Sequence, residues 1–234
     1  ITLHDVAKLA GVAPITASRA INTPGQVSPA VLQKVTEAVA RTGYVRNHAA
    51  GGLASARSRL VAAVVPSLRG PVFAQMVQSL TETLADGGYQ VMLGQSGYAD
   101  SREDALIDAI IGRRPDGIVL TGIMRSPEVR KRLLASGIPV VETWDFTPTP
   151  LDMLVGFNHA DVGRAVVDFL YAKGRRRLAV VGGDDERSRR RSEAFVAAAR
   201  AAGLRHVRVV TIAAPTTVKS EIGRASCRER VSSP

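Results

Sequence analysis

Residues 2–22, TLHDVAKLAGVAPITASRAIN, constrain this chain more than any other stretch, because they spell a helix, a sharp turn and a second helix. Thr2 is placed to cap the first helix, with Asp5 at the fourth place of a T-x-x-D capping pattern. Val6, Leu9 and Ala10 recur at helical spacing as one apolar stripe. Gly11 then supplies the left-handed residue that stops a helix. Pro14 suits the first turn of a new helix, where a missing N–H costs little. There Ala17 and Ile21 share one face, while Ile15, Thr16, Arg19 and Asn22 point elsewhere. A short helix with small inward residues and an outward Arg suits the major groove of duplex DNA.

Charge agrees with an anionic partner. The chain carries a net +10, and residues 1–59 alone hold seven Lys/Arg against Asp5 and Glu37, a net +5. At 234 residues there is room for one large domain or two smaller ones, and 45% apolar content permits a proper core. Mean hydropathy near zero excludes a mainly disordered chain. No apolar run approaches the roughly 20 residues of a membrane span, and no signal peptide opens the sequence. The single Cys rules out a disulfide framework and points to a reducing, cytoplasmic setting. Ile1 stands where an initiator Met is expected, which suggests a clipped N-terminus.

Ser28-Pro29 opens a third helix, with Ser as its cap. Val31, Leu32, Val35 and Val39 give that helix an apolar face, and Gly43 ends it. Residues 1–46 therefore read as a compact all-α unit, and 47–59, NHAAGGLASARSR, as a linker. After Leu60, apolar runs alternate with amphipathic stretches. Strands are expected at 60–65, 89–93, 117–120 and 139–143, with helices at 73–85, 102–113 and 127–135. A second series follows: strand 153–157, helix 160–173, strand 177–182, helix 188–202 and strand 206–212. Such alternation predicts parallel sheets covered by helices on both faces.

The N-terminal wording is more specific than its periodicity. T-L-x-D-V-A-x-x-A-G-V, then T-x-S-R-x-I-N and G-Y-V-R-N, resemble the helix-turn-helix headpiece of the LacI family of bacterial repressors. The resemblance implies a sequence-specific regulator that binds a double-stranded operator as a homodimer, under control of a small effector. It places Pro14 and Ile15 at the base edges, with Arg19 one turn further on. An Arg can donate a bidentate pair to guanine, worth ~1–3 kcal/mol of discrimination. Thr16, Ser18 and Asn22 are better placed for phosphates, which position the protein without reading sequence. Two residues depart from the family pattern. Ala13 stands where Ser or Thr is usual, so the cap of the reading helix is lost at ~1 kcal/mol, and Ala17 replaces a commoner Val.

Asn47, Ala50 and Leu53 match the family's hinge, which becomes helical on DNA and wedges a Leu from each subunit into the minor groove. Gly51 and Gly52 lie inside it, and each costs ~1 kcal/mol against Ala in a helix. The expected hinge is therefore disordered away from DNA and hard to fold.

Residues 60–218 are expected to form an α/β sensor like the type I periplasmic binding proteins, incomplete at its C-terminus. V-P-S-L-x-x-P-V-F (65–73), G-Y-Q-V-M-L (88–93), P-D-G-I-V-L-T (115–121) and G-I-P-V-V-E (137–142) look most like the gluconate-operon repressors. D-x-x-V-G-F (152–157) and D-E-R (185–187) add to the likeness. The resemblance implies effector contacts from Ser67 after the first strand, Phe73 in the next helix and Glu142 ending the fourth strand. Phe157, ending the strand into the second lobe, joins them, with Arg187 and Arg191 in the following loop and helix. An Arg fork for a carboxylate, with polar groups for hydroxyls, suits a sugar acid such as gluconate.

Other motifs read more plainly. Arg175–Arg177 fits a solvated turn before a strand, and Gly182-Gly183-Asp184-Asp185 lacks both G-x-G-x-x-G and G-K-[ST], as in an ordinary strand-to-helix loop. His4, His48, His159 and His206 have no metal-ligand spacing, and Cys227 has no partner for nucleophilic chemistry. No enzyme, metal or cofactor is expected. From Lys219 the composition changes, and EIGRASCRERV (221–231) can be back-translated to a common sequencing-library adapter, so 219–234 read as a non-native tail. For residues 60–215 alone, a periplasmic sugar-binding protein without a DNA role is the alternative, opposed by the headpiece.

Overall fold

The computed structural model describes residues 1–45, 57–68, 71–97, 100–124 and 126–213. The expected hinge contacts Asn47, Ala50 and Leu53, the glycines at 51 and 52, and the tail at 219–234 lie outside the described residues. Two compact units emerge, Ile1–Arg57 and Ser58–Pro234.

The first unit is three helices, α1 (Leu3–Ala10), α2 (Pro14–Asn22) and α3 (Pro29–Thr42). Thr2 and Asp5 form a reciprocal capping box at the start of α1, and Gly11 ends it at φ +65°. Val6, Ala7, Ala10, Ala17, Ala20, Val35 and Ala38 make the buried core, with Ile21, Val31, Leu32 and Val39 packed around it. Leu9 is a correction to the expected stripe: it is 43% exposed. Ala7 takes the inward place: at 100° per residue it and Leu9 lie equally far from the Val6–Ala10 line on opposite sides, and packing against α2 and α3 decides between them. Ser28 is a second correction. It sits at the N-cap of α3 with extended backbone, but its side chain makes no capping hydrogen bond.

The second unit begins with a clamp. Asp116 accepts from the Ser58 amide at 2.7 Å, the Ser58 hydroxyl at 2.9 Å and the Arg59 amide at 3.1 Å. Residues 58 and 59, read from sequence as linker, are thus pinned to the α/β unit. The order is β1 (Leu60–Val65), α4 (Pro71–Asp86), β2 (Gln90–Gln95), α5 (Asp100–Ile111), β3 (Gly117–Thr121), α6 (Pro127–Ser136), β4 (Val140–Thr143) and β5 (Met153–Val155). The five strands form one parallel sheet in the order β2-β1-β3-β4-β5. β1 reads LVAAVV without alternation because both its faces are covered. Ala62, Val64, Ile118, Leu120 and Val140 from the sheet meet Ile107 and Ile110 of α5 and Val129 and Leu133 of α6 in the main core.

The second lobe holds α7 (His159–Ala172), β6 (Leu178–Gly183), α8 (Glu186–Ala201) and β7 (Val207–Ile212), with β6 and β7 paired in parallel. Val167, Leu178, Phe195, Ala199 and Leu204 form its core. α7 and α8 approach so closely that a Cβ at Gly163 would meet the Arg191 carbonyl oxygen and the Phe195 amide. The strand expected to open this lobe belongs instead to the first sheet: β5 pairs with β4, and it stops at Val155. A Cβ at the next residue, Gly156, would run into the Asp145 carbonyl, so the loop after β4 crosses the chain there. Among the described residues no helix is long and apolar enough to cross a membrane.

Candidate functional site

Each unit presents a site. In the first, burial of Ala17 and Ala20 turns the opposite face of α2 outward. Ile15 is 63% exposed on that face. Pro14, Arg19 and Asn22 are exposed beside it, and Thr16 and Ser18 are half-buried. Asn22 donates its amide to the Ser18 hydroxyl at 3.1 Å, which fixes both polar groups on one side of the helix. No side chain caps α2, as the alanine at position 13 implies. Pro14, Ile15, Thr16, Ser18, Arg19 and Asn22 therefore all lie on one short helix held by a packed core.

The second site is a cleft of about 650 Å³ between the two lobes of the α/β unit. Its position follows from topology. The strand order reverses between β1 and β3, and a parallel sheet opens a crevice at the carboxyl ends of its strands there. Pro66, Ser96, Thr121 and Gly122 line it from those ends, and Asp184, Asp185, Glu186 and Arg187 line it from the second lobe. Thr121 lines this space, and its buried hydroxyl has no hydrogen-bond partner among the described residues.

An aromatic row stands beside the cleft, behind the lining Arg187. Phe73, Trp144 and Phe157 meet edge to face, with centroids 5.7 and 6.0 Å apart, and His159 continues the row 4.9 Å beyond Phe157. Trp144 takes φ +63°, a left-handed backbone that bulky residues rarely adopt. Three contacts hold it there: the ring pair, an indole N–H to the Met76 sulfur, and a carbonyl bonded by His159 Nε2 at 2.9 Å.

His159 is buried and joins the lobes. Its Nε2 donates to Trp144 in the first lobe, so its Nδ1 is left to accept from Arg191 at 2.9 Å. Burial, reinforced by the Arg191 charge, holds the His159 pKa below its ordinary value and keeps the ring neutral. Beside it Asp145, also buried, pairs with Arg190 of α8 and accepts from the Phe146 amide. Asp185 caps α8 through the Ser188 amide at 3.1 Å and hydroxyl at 2.6 Å. Burial alone would raise the Asp185 pKa, but these two bonds with Arg187 and Arg191 hold it below the usual value.

The sequence-expected contacts separate into two groups. Arg187 reaches the cleft, its guanidinium 5.8 Å from the centre of the Phe73 ring, and Phe73 and Phe157 stand in the aromatic row. Phe157 lies in the link after β5 and does not end a strand. Ser67 is buried one residue past the cleft-lining Pro66. Arg191 turns away to His159 and Ser188, so it braces the site.

Glu142 is a correction. Its side chain is fully buried and accepts from the Met124 amide at 2.9 Å and the Leu151 amide at 2.8 Å, with Arg130 3.7 Å away. With both oxygens satisfied beneath the loops, it has no surface to offer a ligand. Sequence reasoning missed Thr121, Trp144, Asp145 and Asp185. Trp144 carried one usable signal, as the only Trp of the chain, set just past a strand.

Residues 58–221 match the model of periplasmic binding proteins and sugar binding domain of the LacI family, and residues 2–47 match that of bacterial regulatory proteins of the lacI family. The HTH-type transcriptional regulator GntR of Pseudomonas aeruginosa is 40% identical over 203 residues, covering 86% of this chain and 59% of that protein. GntR of Escherichia coli K12 is 34% identical, covering 86% of this chain and 61% of its own length. The chain thus spans about three-fifths of these curated relatives. A solved LacI-family regulator from Silicibacter pomeroyi superposes with a TM-score of 0.86 at 31% identity, covering 98% of this chain and 71% of that one.

Proposed function

Because this chain belongs to the LacI family of bacterial regulatory proteins, we propose that it is a repressor that binds an operator through α2 and answers to a small ligand in the interlobe cleft. One observation carries the reading. Arg19 and Ile15 stand exposed on the outer face of a helix whose inner face is locked into a three-helix core. Arg19 donates to guanine, Ile15 packs on a thymine methyl, and Thr16, Ser18 and Asn22 hold phosphates. Asn47, Ala50 and Leu53 form the hinge contacts in the minor groove.

In the cleft the ligand is a sugar or sugar acid, with gluconate the leading candidate. Arg187 meets its carboxylate, with Thr121 of the lining and Phe73 and Phe157 of the adjoining aromatic row as further contacts. Ser67 borders that pocket and Arg191 braces it. Six carboxylates line the cleft, of which those at positions 145, 185 and 186 are engaged by Arg190, Ser188 and Arg189, and Arg187 is the cation in that lining. The working form is a homodimer in the bacterial cytoplasm, associated with the nucleoid, needing no cofactor and performing no catalysis. α4 leaves none of its apolar side chains fully buried, which suits a face covered by a second copy. Ligand would change the lobe spacing, then the spacing of two hinges, and so the fit of two headpieces to a two-fold operator.

Selection of duplexes from a random library by the whole chain tests this reading. Enrichment of a two-fold site, with Arg19→Ala costing ~1–3 kcal/mol at one G·C position, is the expected result. No enrichment, and binding indifferent to salt, would leave a sugar-binding protein without a DNA role.

A further inference from the structure

The end of the second lobe remote from the cleft is strongly basic. Parallel register sets Leu178 opposite Val207, so the turn before β6 and the turn before β7 lie side by side, about 4.8 Å apart at the strands. The first turn carries Lys173, Arg175, Arg176 and Arg177, and the second carries Arg205, with Arg208 just inside β7. All six are exposed, and none makes an ion pair with a carboxylate among the described residues. The cleft lies at the other ends of these strands, so this surface is separate from the ligand site.

Helix termini account for only part of it. α7 and α8 both end at this side, and each C-terminus carries about half a negative charge, so together they offset roughly one cation of the six. The remaining excess is arranged rather than diffuse. Arg176 is held 4.0 Å over the Tyr171 ring and donates to the Tyr171 carbonyl at 2.8 Å. Lys173 sits 5.7 Å over the ring of Phe169, a residue 61% exposed.

We infer that this surface binds the phosphate backbone of duplex DNA without sequence preference, as a second DNA contact on a unit separate from the headpiece. Five of the six cations are Arg, whose planar fork pairs two donors with phosphate oxygens. Duplex DNA offers about one negative charge per 1.7 Å of axis, dense enough to engage several guanidinia of a cluster this tight. A single small anion would need a shared, enclosing pocket, and these side chains are exposed on two neighbouring turns.

The whole chain is titrated onto a random-sequence duplex at salt concentrations from 50 to 200 mM, beside Arg175→Gln/Arg177→Gln/Arg205→Gln. Each lost phosphate contact lowers the log–log salt slope by about 0.9, so the triple variant should lose roughly 2.7 from it. Arg113→Gln/Arg114→Gln/Lys131→Gln removes the same charge from the first lobe and should leave the slope unchanged. Arg175→Lys/Arg177→Lys/Arg205→Lys should retain the slope, which separates lost charge from lost folding. Equal slope changes in the two Gln triples, or none in either, overturn the inference. Poly-glutamate binding that falls while duplex binding holds assigns the surface to an acidic protein and overturns it too. Failure of operator selection leaves these slopes readable, because they do not depend on α2.

Discussion

Removing the Glu142 carboxylate tests whether this residue supports the sheet or touches ligand. Glu142→Ala leaves the Met124 and Leu151 amides buried without acceptors. Each orphaned N–H costs about 1–3 kcal/mol, and loss of one partner of a buried ion pair costs about 3–5 kcal/mol in all. Arg130 moderates the loss, because it keeps the Met124 carbonyl at 3.2 Å and the Thr149 carbonyl at 2.9 Å. Glu142→Gln retains one acceptor oxygen and sets its amide against the other N–H, so it should cost about 1–3 kcal/mol. The only Trp of the chain, Trp144, lies two residues away, so its fluorescence follows this unit and is silent for the headpiece. At roughly 2–4 °C per kcal/mol for a domain of this size, Glu142→Ala should melt roughly 6–20 °C below the parent. Glu142→Gln should fall between them. Glu142→Ala melting within a degree or two of the parent would refute the buried-clamp account and return the residue to the ligand.

Three further outcomes follow from the same geometry. Ala13→Ser restores a capping side chain to α2 where the backbone is already extended, and should stabilise the headpiece by ~1 kcal/mol in the helical transition seen by circular dichroism. Gly163→Ala forces α7 and α8 apart at the Arg191 carbonyl, and should cost about 1–3 kcal/mol in urea unfolding followed by Trp144. For His159 the folded pKa lies below the ordinary 6.5, so the unfolded chain takes up the proton first as pH falls. Stability from this group is whole above about pH 6.5 and is lost as pH falls through its folded pKa. His159→Gln keeps a donor for Trp144 and an acceptor for Arg191, so the urea midpoint should decline less between pH 7 and 5.5 than in the parent; an identical decline would count against the neutral-histidine bridge.

Local features were read from the chain with little error. The capping box at Thr2, the stop at Gly11, the uncapped start at Pro14 and most helix and strand bounds stand within two or three residues of their expected places. Each depends on neighbours within a few positions, through caps, left-handed glycines or the two hydrophobic periods. Leu9 and Ser28 failed even there. A stripe of three apolar residues leaves the third helix to decide which is inward, and a Ser at an N-cap does not oblige its hydroxyl to bond.

What the sequence determined by itself is the family, the two-unit organisation, and the face of α2 that reads outward, because these rest on motifs and spacing. Tertiary structure decided where the charged side chains went. Arg187 and Arg191 lie four apart in one basic run, yet one reaches the cleft and the other turns to a buried histidine 32 residues back. Glu142 sits near the end of a strand as a ligand-binding residue would, but two amides from distant loops claim its oxygens. β5 reads as the start of a new lobe and pairs with the old one. A buried charge goes to whatever partners the fold brings within hydrogen-bond reach, and those partners are set by chain crossings that no local pattern encodes.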